Sequence, residues 1–352
     1  MNKKTFLIAA ALGLSLPMAS QANGPLYTPL QKVFKDWQVT CNNVNDCDVR
    51  NMDEELRIII ERKAGEKGDV MLVFQALADG DPQGFWLDGK KVPTDINFSK
   101  TSGDDFTVAS SDDLATVQRW VQATKNARTL SLSPSGHTVS PSGLNAALLL
   151  VDERQERLNN QTALLRVGNR EPSTVLPRTP LPVISLPTPK VVELSNGQAL
   201  IDGVIKTNAA LLDKESCLPD KENRERSEVQ PLNDRQALVM INCGLGAYQS
   251  SSMLFISERD DVTQSTSLTL PVPGENNKPE ILTWFTEVDY EPKTGILSFA
   301  GRGRGLADCG HSGSWKYDGK AFHLTSYNNQ PSCNGGEPGD WPSLWITTVK
   351  AD

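Results

Sequence analysis

The densest group of chemically capable side chains lies near the C-terminus, where residues 301–315 read GRGRGLADCGHSGSW. Backbone amides of such glycines, together with Arg302 and Arg304, could cradle an anion. A phosphate-binding loop requires G-x-x-x-x-G-K-[ST], and a dinucleotide loop requires G-x-G-x-x-G between a strand and a helix. The stretch has neither pattern, and a cysteine follows instead of a helix. We therefore predict a turn whose positive φ angles require glycine, with an anion or carboxylate site as the alternative.

The same stretch contains a weak hydrolase pattern. GHSGS at 310–314 is similar to a turn that carries a serine nucleophile, but such a serine needs a base and an orienting acid around it. His137 and His323 are the other histidines, and we place His137 in a different domain. With so few histidines and no C-x-x-C or H-E-x-x-H string, we predict no catalytic residues, metal site or cofactor. A periplasmic hydrolase with a site near Asp308 and His311 is the alternative.

The six cysteines are expected to form disulfides, because the chain reads as an exported protein and the exported compartment is oxidising. Six cysteines permit many connectivities, and the sequence alone does not choose between them. The cysteines fall, however, as three local pairs along the chain. We expect Cys41–Cys47, Cys217–Cys243 and Cys309–Cys333.

The N-terminus has the pattern of a cleavable signal peptide. Lys3 and Lys4 precede an apolar run that is too short for a bilayer, and Ser20 and Ala22 supply the small residues before a cleavage site after Ala22. We therefore predict a signal peptide at 1–22, a periplasmic location and no transmembrane insertion. Removal of the two lysines leaves 33 basic against 43 acidic residues, a formal charge of −10. Such a charge repels nucleic acid and anionic lipid, so neither is an expected partner.

The length predicts two domains on either side of a proline-rich segment. Residues 23–170 begin with alternating strands and end with helical patterns near residues 114 and 144. In the strand around Leu56, Ile58 and Ile60 we expect an apolar face, with Arg57, Glu61 and Ile59 on a solvated one. Residues 171–190 contain six prolines between 172 and 189 and are predicted to be a semi-rigid linker, with a proline-rich recognition ligand as the alternative.

Residues 191–352 show many short strands separated by turn residues, which favour an antiparallel β sandwich or barrel stabilised by disulfides. One short helix is expected from Asn208 to Lys214. Asp88-Gly89 and Asp318-Gly319 are both hairpin signals. The predicted fold class is therefore α+β and β-dominated.

Several strings together resemble a known family: the six cysteines, AALLLVDERQERL at 146–158, CGLGAY at 243–248, residues 301–324, and the closing Cys333 with Trp341-Pro342. They resemble the six-cysteine proteobacterial family catalogued as domain of unknown function 1176. The N-terminal half, from WQVTC at 37–41 to Gly168, is similar to the invasion-associated locus B proteins. These are exported bacterial proteins with an envelope or host-interaction role. The resemblance implies location, fold and a disulfide at Cys309, and it supplies no catalytic residues.

These observations predict a non-catalytic, exported protein that binds a protein or another envelope component. A structural envelope or stress protein is a further alternative beside the hydrolase. Exposed Trp341 or Trp345 on a flat surface would favour binding. The candidate binding surface consists of six residues: Tyr248, Arg302, Arg304, Asp308, His311 and Trp315.

Overall fold

The computed structural model describes residues 27–76, 82–96, 107–185, 190–217, 219–274 and 278–350. The predicted signal peptide and its cleavage site lie outside these residues. Within them, no helix combines the length and the apolar character needed to cross a membrane. The fold is α+β and β-dominated, which confirms the predicted class.

Nine strands and two α-helices lie in the described residues of the N-terminal half. Their bounds are β1 Leu30–Phe34, β2 Trp37–Cys41, β3 Cys47–Asn51, β4 Leu56–Arg62, β5 Val70–Ala76, β6 Phe85–Leu87, β7 Lys90–Val92, β8 Thr107–Ser111, α1 Leu114–Thr124, β9 Leu130–Ser131 and α2 Leu144–Arg154. Six strands form one antiparallel sheet in the order β1-β2-β3-β4-β5-β8, and β7-β6-β9 form a small second sheet. Asp88 and Gly89 both have positive φ (49° and 76°) between β6 and β7, as the two-residue hairpin signal predicts.

One face of the six-stranded sheet packs against both helices. Ile58 and Ile60 of β4 share a hydrophobic core with Val117 of α1 and Leu148 of α2. The opposite face was expected to be solvated, and that expectation is wrong for Arg57 and Ile59, which are 0% and 5% exposed. This polar face is covered because the C-terminal half lies over it.

Polar contacts join this face to the C-terminal half. Arg57 Nη2 lies 2.7 Å from Asp340 Oδ2. Gln31 and Asn329 exchange two hydrogen bonds of 2.9 Å. Each half therefore supplies hydrogen-bond partners to buried polar groups of the other half. Buried polar groups need such partners.

The proline-rich segment follows the surface of both halves. It contains a short 3₁₀ turn at Pro172–Thr174 and strand β10 at Val183–Ile184. Arg178 makes a bidentate ion pair with Asp46 of the N-terminal half, at 2.9 and 2.8 Å. Packing against the protein thus restrains the segment in addition to proline stiffness. The domain boundaries at 170 and 191 stay a prediction.

The C-terminal half contains three helices and thirteen strands within the described residues. Their bounds are α3 Gly197–Thr207, α4 Ala209–Lys214, α5 Lys221–Arg226, β11 Glu228–Pro231, β12 Gln236–Leu245, β13 Ser250–Glu258, β14 Thr266–Ser267, β15 Leu270–Pro273, β16 Pro279–Leu282, β17 Phe285–Thr286, β18 Asp289–Glu291, β19 Ile296–Arg302, β20 Gly310–Tyr317, β21 Phe322–Gln330, β22 Ser343–Ile346 and β23 Thr348–Val349; a 3₁₀ turn spans Val262–Gln264. Two five-stranded sheets dominate, one ordered β11-β12-β13-β14 with β17 beside β13, and one ordered β18-β19-β20-β21-β22. Two-stranded pairs complete it: β15 with β16, and β23 in parallel with β10.

The first of these sheets is apolar on both faces. Alternate residues Leu238 and Met240 of β12 share a core with Trp315 of the second sheet. Val239 and Ile241 point the other way and pack with helices α3 and α4. The single predicted helix is found as α4, and α3 and α5 were missed. The C-terminal half thus has three layers: helices, the β11–β14 sheet and the β18–β22 sheet.

All three disulfides connect the expected local pairs: Cys41–Cys47, Cys217–Cys243 and Cys309–Cys333. Cys41 and Cys47 stand directly opposite each other on β2 and β3. The other two pairs close longer segments in the C-terminal half.

Candidate binding surface

The glycine-rich stretch that begins at Gly301 forms a closed turn between β19 and β20. The amide of Gly303 donates to the carbonyl of Cys309 at 2.8 Å, and Cys309 is bonded to Cys333. A Cβ atom at position 303 would lie only 2.6 Å from Cys309 Sγ. Glycine is required here because the backbone runs against the disulfide. The predicted reason is wrong, since Gly301, Gly303 and Gly305 do not have positive φ.

Arg304 and Asp308 satisfy each other inside this turn. The guanidinium makes two hydrogen bonds to the carboxylate, at 2.8 and 2.6 Å, and the amide of Gly335 donates a third at 2.7 Å. The hydrogen bonds from Arg304 are the largest influence on Asp308 and hold the pKa of its carboxyl below its usual range. Arg304 also lies 3.3 Å from Glu54 of the N-terminal half. Both side chains therefore brace the turn.

Among the described residues, only one group of three His, Cys, Asp or Glu side chains brings its ligand atoms within 4.8 Å of one another. It consists of Asp308, Cys309 and Cys333. The two sulfur atoms are joined in a disulfide, so neither is the thiolate that a metal ion requires.

His311 lies on strand β20 and faces aromatic rings. Its ring centroid is 5.0 Å from that of Phe299, and its Nδ1 lies 3.4 Å from the hydroxyl of Tyr327. Burial lowers the pKa of His311. No hydrogen bond within the described residues joins His311 to Asp308 or to a serine. The nucleophile–base contact on which the hydrolase alternative depends is thus not formed here.

The GHSGS string is ordinary strand rather than a nucleophile turn. It begins β20, where Ser314 Oγ lies 2.7 Å from Ser326 Oγ on β21. A Cβ at Gly313 would come within 3.0 Å of the Phe299 ring and 3.2 Å of Trp315. Glycine leaves room for the aromatic core at this position.

The prediction that Trp315 belongs to a binding surface is wrong, and neither Trp341 nor Trp345 has the full exposure that would favour binding. Trp315 is 1% exposed and stacks on Phe299 at 5.7 Å, so it belongs to the core and cannot contact a partner. Trp341 is also buried, and its Nε1 donates to the carbonyl of Ala307 at 3.0 Å. Trp345 is half-buried and packs on the same core as Trp315.

Tyr248 and Arg302, by contrast, come together at the surface. Tyr248 lies in the turn between β12 and β13, and the Arg302 guanidinium sits 5.3 Å from its ring centroid. Arg302 Nη2 also donates to the Tyr248 carbonyl at 2.6 Å. Gln249 holds the two segments in register, since its side chain bonds both the amide and the carbonyl of Arg302, at 2.9 and 3.0 Å. Two family strings, 243–248 and 301–305, thus form one structure.

Exposed apolar side chains flank this contact along the chain. Leu245 is 54% exposed, Tyr248 42% and Leu306 64%. Within the described residues, Arg302 has no carboxylate within ion-pair distance. Leu245, Tyr248, Arg302 and Leu306 are called the tyrosine–arginine surface below. Leu245 and Leu306 were not predicted, because adjacency of the two turns has no signal in a single sequence.

The structure therefore defines a class of protein: β-dominated, with three disulfides and an exposed aromatic and arginine surface where two turns meet. The chain belongs to the family described as "Protein of unknown function (DUF1176)", whose model matches residues 31–348. It is also similar to "Uncharacterized protein YpfG" of Escherichia coli strain K12, with 32% identity over 332 residues, covering 91% of this chain and 93% of that protein. No solved structure matches it. The likeness to invasion-associated locus B proteins is not shown by these matches and stays a prediction.

Proposed function

We propose that this chain is an exported, non-catalytic protein that binds a protein partner in the cell envelope through the tyrosine–arginine surface. The observation that carries the proposal is the meeting of two family strings at a surface where exposed Leu245, Tyr248 and Leu306 accompany the half-buried Arg302. Tyrosine and arginine are enriched among the residues that dominate binding energy at interfaces. The disulfides support an oxidising compartment, in agreement with the signal-peptide pattern.

Rigid presentation is a second argument for binding. The two turns are fixed in the unbound chain by contacts of its own. These are the hydrogen bonds of Gln249 and Arg302 and the Cys309–Cys333 disulfide. Preorganised side chains lose little conformational entropy on association, which favours affinity. The turn built around Arg304 and Asp308 therefore supports the surface rather than forming its contact.

The test is affinity capture from periplasmic extract with the oxidised chain from Asn23 onward. Leu306→Ala and Arg302→Ala are the test variants. Leu176→Ala is the matched control, because Leu176 is 49% exposed and lies outside the surface. A partner retained by the parent chain and by Leu176→Ala but lost with both test variants supports the proposal. A partner that binds all of these proteins equally, or no partner at all, contradicts it.

A further inference from the structure

A second candidate site lies where the two halves meet, away from the tyrosine–arginine surface. It is a cleft of about 290 Å³ between strands β2 to β4 of the N-terminal half and residues 340–346 of the C-terminal half. Domain junctions are preferred positions for ligand sites, and this volume is at the small end of their usual range.

The floor of the cleft is a row of polar side chains on one face of the sheet. Thr40 pairs with Asp48, and Asp48 pairs with Glu61, across three adjacent strands. Directly paired residues project from the same face of a sheet. The cleft is thus an uncovered part of the polar face that the C-terminal half otherwise buries.

Most charges around the cleft are already compensated. Arg50 donates a hydrogen bond of 2.6 Å to each carboxylate oxygen of Asp48. Asp340 forms an ion pair with Arg57. Asp46 is held by Arg178. A ligand with a large net charge therefore gains little here, since each of these carboxylates has its own arginine.

Two polar groups that line the cleft are not engaged. The Glu61 carboxylate makes no hydrogen bond or ion pair within the described residues. Asn42 is 4% exposed, and its Oδ1 accepts from the amides of Val44 and Asp46, whereas its Nδ2 donates to no acceptor in the described part of the chain. Glu61 thus offers the cleft an unpaired acceptor and Asn42 an unpaired donor, the donor on a side chain that is almost fully buried.

A hydroxyl group both donates and accepts, so a ligand with several hydroxyls matches this mixed lining. Trp341 and Pro342, both buried, form an apolar edge of the cleft beside these polar groups. We propose that the cleft binds a saccharide unit, held by hydrogen bonds to Glu61 and Asn42. This site is independent of the protein-binding surface proposed above.

The test uses ligand-observed NMR titration of the oxidised chain from Asn23 onward. The probes are N-acetylglucosamine, its β-1,4-linked tetramer and the diamine 1,4-diaminobutane. Saturable binding of either sugar supports the proposal. Equal affinity for monomer and tetramer would indicate a free sugar as the ligand, and tighter binding of the tetramer a glycan chain. Absence of sugar binding, or binding of the diamine alone, would overturn the proposal.

Variants then locate the binding. Glu61→Ala should weaken sugar binding roughly tenfold or more, because a hydrogen bond to a charged group is lost. Asn42→Asp keeps the Oδ1 acceptor but replaces the free donor with a charged oxygen, and it should also weaken sugar binding. Glu66→Ala is the matched control, since Glu66 is exposed outside the cleft, and it should leave affinity unchanged. Sugar binding that survives Glu61→Ala and Asn42→Asp undiminished, with melting temperatures showing that both variants fold, would place it elsewhere and refute the assignment.

Discussion

Both halves of the molecule bury two faces of a sheet, but the second face differs in chemistry. In the N-terminal sheet, Gln38, Arg50 and Arg57 lie beneath the C-terminal half and depend on it for hydrogen bonds. In the β11–β14 sheet, apolar side chains pack on helices on one side and on the second sheet on the other. The apolar faces supply stability through burial, whereas the polar face fixes how the halves fit together, because each buried charge needs a particular partner.

The largest effect is expected in the apolar core. Trp315→Ala removes a fully buried ring from between Phe285 and Phe299 and should lower the free energy of unfolding by about 3–5 kcal/mol. Urea denaturation followed by circular dichroism measures it. A loss below about 1 kcal/mol would mean that the shared core of the two sheets contributes much less than its burial indicates.

Removing one disulfide from each half should lower the free energy of unfolding by different amounts, and this difference is smaller than the effect of Trp315→Ala. The closed segments span 6 residues for Cys41–Cys47 and 24 for Cys309–Cys333. The loop-entropy model assigns about 2.2 and about 3.4 kcal/mol to them, so the paired serine variants should rank in that order. Urea titrations of the two double variants measure the losses. Equal losses of unfolding free energy would show that the length of the closed segment does not set the stabilisation by each disulfide.

At the polar face, Asp340→Ala leaves Arg57 with Gln75 as its remaining side-chain partner. Because Asp340 is 38% exposed, we expect a loss of only about 1–2 kcal/mol in a urea titration. Asp95→Ala serves as the control, since its ion pair with Arg119 is exposed on both sides and should contribute almost nothing. If both variants unfold alike, the polar contacts between the halves are energetically neutral.

The smallest effect, and the most specific in pH, concerns the glycine turn. The pKa of Asp308 is lower in the folded chain than in the unfolded one, because Arg304 and the Gly335 amide stabilise its charged form. The charged Asp308 therefore contributes to folding stability at pH values above the pKa in the unfolded chain, about 3.9. This contribution is lost as the pH falls through the pKa in the folded chain.

Arg304→Ala should accordingly lower stability at neutral pH, and the difference from the parent chain should shrink in acid. Melting temperatures of both proteins between pH 7 and pH 3, as a rough range, give the comparison. A difference that stays constant throughout that range would mean that the Arg304–Asp308 pair does not titrate as inferred.

Local patterns were enough to predict several features from the sequence. The hairpin at Asp88-Gly89 and the helices that begin at Leu114 and Leu144 depend on neighbours in the chain, and each disulfide joins a cysteine to the next cysteine in the sequence. The Asp318-Gly319 signal also marks a hairpin, although four residues connect its strands because Tyr317 pairs with Phe322. The helix that begins at Leu114 is capped by Asp113, whose carboxylate accepts from the Thr116 amide.

By itself, then, the sequence determined most of the elements and their apolar faces, because periodicity and turn chemistry act over a few residues. It indicated the disulfides only through the order of the cysteines, since each one pairs with the next along the chain. Only the tertiary structure decided what covers each face. In it, Arg57 and Trp315 are buried and Arg304 is hydrogen-bonded to Asp308. Arg302 lies over the Tyr248 ring at the surface. A period of two separates the faces of a strand, but the partner of each face comes from residues distant in the chain, and no single sequence specifies that adjacency.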